Sequence, residues 1–179
     1  MRVARRRTLA ALATLVLGMC ATGLASVVVP LSLVQLSTSA DVIVDGTVVD
    51  VRAAQGPDGI ERLVQVRVAS TWKGTPAGAL YVRLAGGRLG RTVTRIPGVP
   101  DPSEGDRVVW FLVAHPRGGF SVVGLYQGAL AALPTPDGTA RVLAPATEPS
   151  ARGDVTRLPR RIADLEADVR LITGHRATQ

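Results

Sequence analysis

Between Asp41 and Gly74 the chain alternates apolar and polar residues in two long runs, with Gly56-Pro57-Asp58-Gly59 between them. β-Branched residues suit a pleated, half-buried surface, and the glycine-proline-aspartate cluster supplies turn chemistry, so the pattern predicts two antiparallel strands. In the first run Val42, Val44 and Val48 share one parity, while Ile43, Val49 and Val51 share the other, with Gly46 between the halves. A switch of apolar face at a glycine predicts a bulge or sharp bend, as in a strand that serves two faces of a small closed barrel. The second run alternates more cleanly, Val64, Val66 and Val68 against Gln65 and Arg67, and ends at Trp72-Lys73-Gly74.

The rest of the chain reads mostly as strands that could pair with these two. Leu80 to Leu84 is a short third strand, and Arg107 to Val113 is the most apolar, hence central and buried. Phe120 to Leu130 predicts a fifth strand in which Gly124 and Gly128 mark bending or close backbone approach. Asp137-Gly138 predicts a hairpin, with Thr139 to Leu143 returning from it. From Gly86 to Asp106, the residues Gly90, Pro97, Gly98, Pro100 and Pro102 mark either a long functional loop or a hairpin through Arg91 to Ile96 followed by a proline-ruled connector.

Helical spacing appears at the two ends. Leu33, Val34 and Leu36 fit a short packed helical turn after Pro30, closed by Ser37, Thr38 and Ser39. Residues 144–157 read as a linker rich in Pro, Ala, Ser and Thr. Leu158, Ile162, Leu165, Val169 and Ile172 then recur as one stripe of an amphipathic helix over 158–173, with Thr156 as N-cap, Pro159 in its first turn and Gly174 at its end. The helix is expected to pack on the strands, with partner binding as the alternative.

Composition changes the picture mainly at the N-terminus. The 179 residues are 46% hydrophobic, enough for one packed domain, and carry a formal charge of +7. Arg2, Arg5, Arg6 and Arg7 stand in the first seven residues; without them 17 basic residues face 14 acidic ones, a balance of only +3. The basic start runs into apolar Thr8 to Ala25 and a small-x-small site, Gly23-Leu24-Ala25. That is the order of a secretory signal peptide over residues 1–25, and export to a periplasmic or extracellular space is the expectation. An uncleaved N-terminal anchor is the alternative, since 18 such residues approach the ~20 that span a bilayer. A lipoprotein reading would use Cys20, but bulky Met19 precedes it. Cys20 is the only cysteine. A chain cleaved after Ala25 therefore has no disulfide and depends on its core alone.

Candidate chemistry is sparse. His115 and His175 are the only histidines, sixty residues apart, too few for an ordinary zinc site. His115 reads as a surface-loop residue. No nucleophile elbow, phosphate loop or paired-histidine motif is present. Asp41, Asp45 and Asp50 do not share one strand face and read as solvated edges or turn caps. Arg152-Gly153-Asp154 matches an adhesion tripeptide that an arginine-rich chain produces by chance. Arg83, Arg88, Arg91 and Arg95 form the one local basic concentration outside the termini, without the aromatic interleaving of an oligonucleotide groove.

Three stretches carry a family resemblance: Ala40-Asp41-Val42-Ile43-Val44-Asp45-Gly46-Thr47-Val48, Thr71-Trp72-Lys73-Gly74, and Glu104-Gly105-Asp106-Arg107-Val108-Val109-Trp110-Phe111-Leu112. Together they resemble the OB-fold modules of the netrin-like and tissue-inhibitor-of-metalloproteinase group, and of uncharacterised exported bacterial proteins sharing that module, over roughly residues 31–145. The resemblance implies a mainly β fold: a small five-stranded OB-like Greek-key barrel over 26–143, with extra short strands and the C-terminal amphipathic helix. Gly46, Trp72, Lys73, Gly74 and Gly105 are its fold-signature positions. It implies a non-enzymatic binding module with a protein partner, a secreted metalloprotease being the family's example, and no cofactor or metal. The animal inhibitors chelate the protease zinc through a mature N-terminal cysteine, which this chain lacks, so that mechanism does not carry over. Arg88, Arg91, Arg95, Pro97 and Pro100 are the candidate partner-binding loop. Binding of nucleic acid or anionic polysaccharide is the alternative.

Overall fold

The computed structural model describes residues 30–76, 79–136, 139–142 and 160–174. The expected leader, the Asp137-Gly138 turn, the 144–157 linker with its Arg-Gly-Asp, Leu158-Pro159 and His175 lie outside the described residues; the C-terminal helix expected from 158 begins only at Ile162, because Arg160 and Arg161 pair as a short strand with Val142 and Arg141. No described helix is long and apolar enough to cross a membrane.

The structure is mainly β, with one large sheet, a small two-stranded ribbon and a helix at each end. The chain enters through α1 (Leu33–Ser39). Its capping box is complete: the Ser32 hydroxyl accepts from the Gln35 N–H, and the Gln35 side chain accepts from the Ser32 N–H. Leu36 is buried, but Val34 is 54% exposed, so the expected packing of all three apolar residues holds for only part of the turn.

β1 (Val42–Gly56) and β2 (Gly59–Lys73) form the expected long hairpin, closing through Gly56 opposite Gly59. β2 then pairs antiparallel with β3 (Ala79–Ala85). β6 (Arg107–Ala114) pairs antiparallel with the first half of β1, from Val42 opposite Leu112 to Thr47 opposite Arg107. On its other edge β6 meets β7 (Phe120–Val122), which lies parallel to β3 through Val82–Phe120 and Arg83–Ser121. The order β1, β2, β3, β7, β6 thus returns to β1, a ring of five strands closed by a short parallel contact.

The expected single strand over Phe120 to Leu130 needs correction. β7 stops at Val122, and β8 (Ala129–Pro134) resumes along the same edge of β6. The intervening Val123–Gly128 excursion is clamped at one residue, Phe111: its N–H donates to the Gly128 carbonyl at 2.7 Å and its carbonyl accepts from the Val123 N–H at 3.0 Å. β8 continues to β9 (Ala140–Val142), which pairs with β10 (Arg160–Arg161) ahead of α2 (Ile162–Gly174). Residues 87–94 resolve the choice between loop and hairpin: β4 (Gly87–Leu89) and β5 (Thr92–Thr94) form a separate ribbon, and a proline-rich connector follows it.

The two parities of β1 and β6 are both buried because each strand separates two cores. Val44, Val48, Val64, Val66, Val82, Trp110 and Leu112 fill the ring. Ile43, Trp72, Val109 and Phe111 face outward, into a second core completed by Leu36, Ile162, Leu165 and Val169 of the helices. Helix α2 therefore packs on the sheet, although Leu171 on it is 68% exposed.

Register shifts accompany the turn of the β1–β2 hairpin around the ring. They fall between Ile43 and Val44, Asp45 and Gly46, and Val48 and Asp50. The last one explains the parity switch, since Val48 and Val51 then both turn toward the ring interior. At Gly46 the cause is crowding: a Cβ there would stand 2.5 Å from Val66 Cγ1 and 2.8 Å from the Arg67 carbonyl oxygen.

Thr71-Trp72-Lys73-Gly74 ties the N-terminal helix to the ring. Trp72 enters the outer core, and the Lys73 ammonium donates to the carbonyls of Ser37, at 2.9 Å, and Ala40, satisfying the C-terminal end of α1. Gly74 turns the chain away at φ +78°, with no room for a side chain, since a Cβ would stand 2.8 Å from the Asp41 carbonyl. Gly105, also at positive φ (+91°), precedes β6, and its N–H donates to Val48 O at 2.9 Å.

The reading of the three aspartates also changes. Asp41 does cap a strand end, accepting from the Ala114 N–H at 2.8 Å, and Asp50 is half-buried beside Arg52. Asp45, read as solvated, is instead 2% exposed. Both its oxygens are held by Arg107, Oδ1 to Nε at 3.0 Å and Oδ2 to Nη2 at 2.6 Å. Cross-strand pairing of β1 with β6 makes this possible, and the fork matches a carboxylate bidentately.

Candidate functional site

A cleft of about 290 Å³ lies where the ring is least tightly closed, beside the short parallel contact of β3 and β7. The β1–β2 turn forms one lip. Ile60 and Glu61 of β2, Arg83 and Leu84 of β3, and Ser121 and Val122 of β7 contribute its walls. Thr94, Ile96 and Val99, from the end of the ribbon and the connector after it, also line the cleft, together with His115, Arg117 and Leu125.

One carboxylate organises the polar wall. Glu61 accepts from Arg83 Nη1 at 2.9 Å and is gripped by Arg117, Nη1 to Oε1 at 3.1 Å and Nη2 to Oε2 at 2.6 Å. Arg83 also braces the β6–β7 turn, donating to the carbonyls of Gly118 at 2.8 Å and Arg117 at 3.1 Å. The Arg117 side chain remains 40% exposed, and its other N–H groups have no partner among the described residues. These N–H groups can meet a ligand carboxylate or carbonyl without dismantling the turn.

The hydrogen bond from Arg117, and the charges of Arg117 and Arg83, hold the Glu61 carboxyl below its usual value of 4.5 despite opposing desolvation. A carboxyl depressed in the folded state stabilises the fold above its unfolded pKa, and loses that contribution as pH falls through the folded value. Glu61→Gln is therefore expected to reduce stability above pH 4.5 and to flatten the acid-side decline below it. Urea unfolding of both proteins on either side of that pH checks this; parallel profiles would contradict it.

His115 is half-buried in this wall rather than a free surface-loop residue. Its Nδ1 accepts from the Arg117 N–H at 3.0 Å, so the neutral ring carries its proton on Nε2. No nucleophilic side chain is hydrogen-bonded to it among the described residues. Nor does any group of three or more His, Cys, Asp or Glu among them form a candidate metal site.

Leu125, which also lines the cleft, is 61% exposed at φ +65°, the one described non-glycine residue in the left-handed region. Ile96 is 40% exposed. An apolar residue held at positive φ on a rim costs local strain that the Phe111 clamp sustains.

The candidate loop splits into two parts. Arg88, Arg91 and Arg95 project from the ribbon and do not line the cleft, and Pro97 and Pro100 lie in the connector. That connector is fixed: Arg62 donates to the Pro100 carbonyl at 2.9 Å and pairs with Asp101. Arg83, grouped with the ribbon arginines by sequence, belongs to the Glu61 network. Sequence reading passed over Glu61, Arg117 and Leu125. The Pro116-Arg117-Gly118-Gly119 turn was a legible signal for Arg117, whereas nothing local marks Leu125.

No protein-family model matches the chain, and no curated protein matches it.

Proposed function

We propose that this chain is an exported, non-enzymatic binding module on an OB-like barrel, and that its cleft takes a segment of a protein partner. The observation that carries this is the pairing, in one cleft, of apolar walls from Ile60, Ile96, Val99 and Leu125 with the partly exposed Arg117 guanidinium. Such a site suits a peptide stretch with an apolar side chain beside a carboxylate or carbonyl. The OB-like reading is supported by the five-strand ring with its parallel β3–β7 contact. Export rests on the basic and apolar order of residues 1–25. The netrin-like resemblance supplies a secreted metalloprotease as the first partner class to test, engaged by surface complementarity.

The immobilised chain should enrich one or a few secreted proteins of its own host, and Arg117→Glu combined with Ile96→Asp should abolish that enrichment. Enrichment that survives both substitutions contradicts the cleft as the site. The polyanion alternative is favoured by the unpaired ribbon arginines, and it predicts retention on heparin or single-stranded DNA that falls steeply with salt. The absence of aromatic residues from the ribbon weighs against it.

A further inference from the structure

Seven of the described arginines pair with a carboxylate and six do not among the described residues, Arg67, Arg141 and Arg161 lying on other strands and Arg88, Arg91 and Arg95 together on one ribbon. Arg52, Arg62, Arg83, Arg107, Arg117, Arg160 and Arg170 each meet a carboxylate. The side chains of Arg88, Arg91 and Arg95 have no ion pair or hydrogen bond among the described residues, and no Asp or Glu stands between Gly86 and Pro100. Their ribbon is exposed from residue 88 through 93. Among these cations stand three apolar side chains turned to water, Leu89 (39% exposed), Val93 (51%) and Ile96 (40%).

The base of the ribbon is firmly set. Gly86 N–H donates to the Ile60 carbonyl at 2.7 Å, and Gly87 lies against the Arg62 side chain so closely that a Cβ would approach Cγ to 2.8 Å. Its tip is free, with nothing within 4 Å of the Gly90 Cβ position. The result is a convex, cationic and partly apolar projection on a fixed base.

We infer that the β4–β5 ribbon docks the protein on an anionic lipid bilayer, with the arginines at the headgroups and Leu89 and Val93 entering the interface. The charge pattern selects an anionic surface, and each arginine near such a surface strengthens binding several-fold. The interleaved apolar residues select a surface with an apolar layer beneath its charge. A polysaccharide or nucleic acid gives Leu89 and Val93 no such layer, and the ribbon has no aromatic ring for base stacking. A convex tip fits a deformable interface without requiring a matching concavity.

The full chain carrying Leu89→Trp provides the test, because native Trp72 and Trp110 are 6% and 0% exposed and leave a buried, steady background. Vesicles of phosphatidylcholine with phosphatidylglycerol should shift the new emission to the blue, and brominated lipid should quench it. Vesicles of phosphatidylcholine alone should do neither, even where the N-terminal segment tethers the chain to them. Adding Arg88→Gln, Arg91→Gln and Arg95→Gln should weaken this insertion on the order of a hundredfold. Unshifted emission with the anionic vesicles, or a shift that the arginine substitutions leave intact, overturns the inference. Retention on heparin that survives Leu89→Ser/Val93→Ser, without vesicle insertion, would assign the ribbon to a polyanion instead. Arg117→Glu lies outside the ribbon and should leave insertion unchanged, so failure of the cleft reading is read separately.

Discussion

Replacing Arg107 with methionine is expected to destabilise the fold by about 3–5 kcal/mol, more than replacing Asp45 with asparagine. The asymmetry follows from unequal burial: the Asp45 side chain is 2% exposed and the Arg107 side chain 44%. Without Arg107 a carboxylate remains inside the sheet with no other partner among the described residues. Without the Asp45 charge, the guanidinium can turn to water, and an asparagine can still accept one of its hydrogen bonds, so the expected loss is about 1–3 kcal/mol. Urea unfolding of the two single variants measures both costs. Equal costs, or a larger cost at Asp45, would contradict the burial assigned to this pair.

Gly46→Ala is expected to cost about 3 kcal/mol, at the upper end of overpacking effects. Gly46 sits on β1 opposite Val68 of β2 and Val108 of β6, held from both sides. The added methyl would meet Val66 Cγ1 at 2.5 Å and the Arg67 carbonyl at 2.8 Å. A side chain can rotate away from the first contact, but the second is backbone, so relief requires opening the β1–β2 ladder. Gly90→Ala, where nothing lies within 4 Å, is the matched control. Its positive φ of +59° limits the expected cost there to about 1 kcal/mol. Comparable thermal and urea midpoints for the two variants would contradict the close approach at Gly46.

These positions also show how far the fold could be read from the sequence. Period-two alternation located β2 and β3, because a strand with one buried face writes that face into every second residue, and a continuous apolar run located β6, which is buried on both faces. It did not separate β7 from β8. Gly124 and Gly128 permit either a bent strand or an interrupted one, and the choice is made by Phe111, whose backbone clamps both ends of the excursion. Asp45 was legible as a strand residue but not as a buried one, since its burial depends on Arg107, 62 positions away. Trp72-Lys73-Gly74 stood out as a pattern, and its physical role became clear only when Lys73 met the end of α1.

The cleft was less legible still, because local charge density pointed elsewhere. The ribbon gathers three arginines within eight residues, 88–95, and draws attention for that reason. The cleft is built from Glu61, Arg83 and Arg117 on separate elements, joined only after β3 and β7 come side by side. No spacing rule relates residues brought together by ring closure.

Site-specific photocrosslinking from position 125 tests the central claim most directly, since Leu125 is 61% exposed at the cleft rim. A benzophenone amino acid placed there, in the full chain mixed with secreted proteins of the host, should crosslink one dominant protein through a defined peptide. That adduct should disappear when Arg117→Glu is added, while the same probe at exposed Leu133 on β8 should give no such adduct. An adduct that forms equally from both positions, or persists with Arg117→Glu, would contradict a partner-binding cleft.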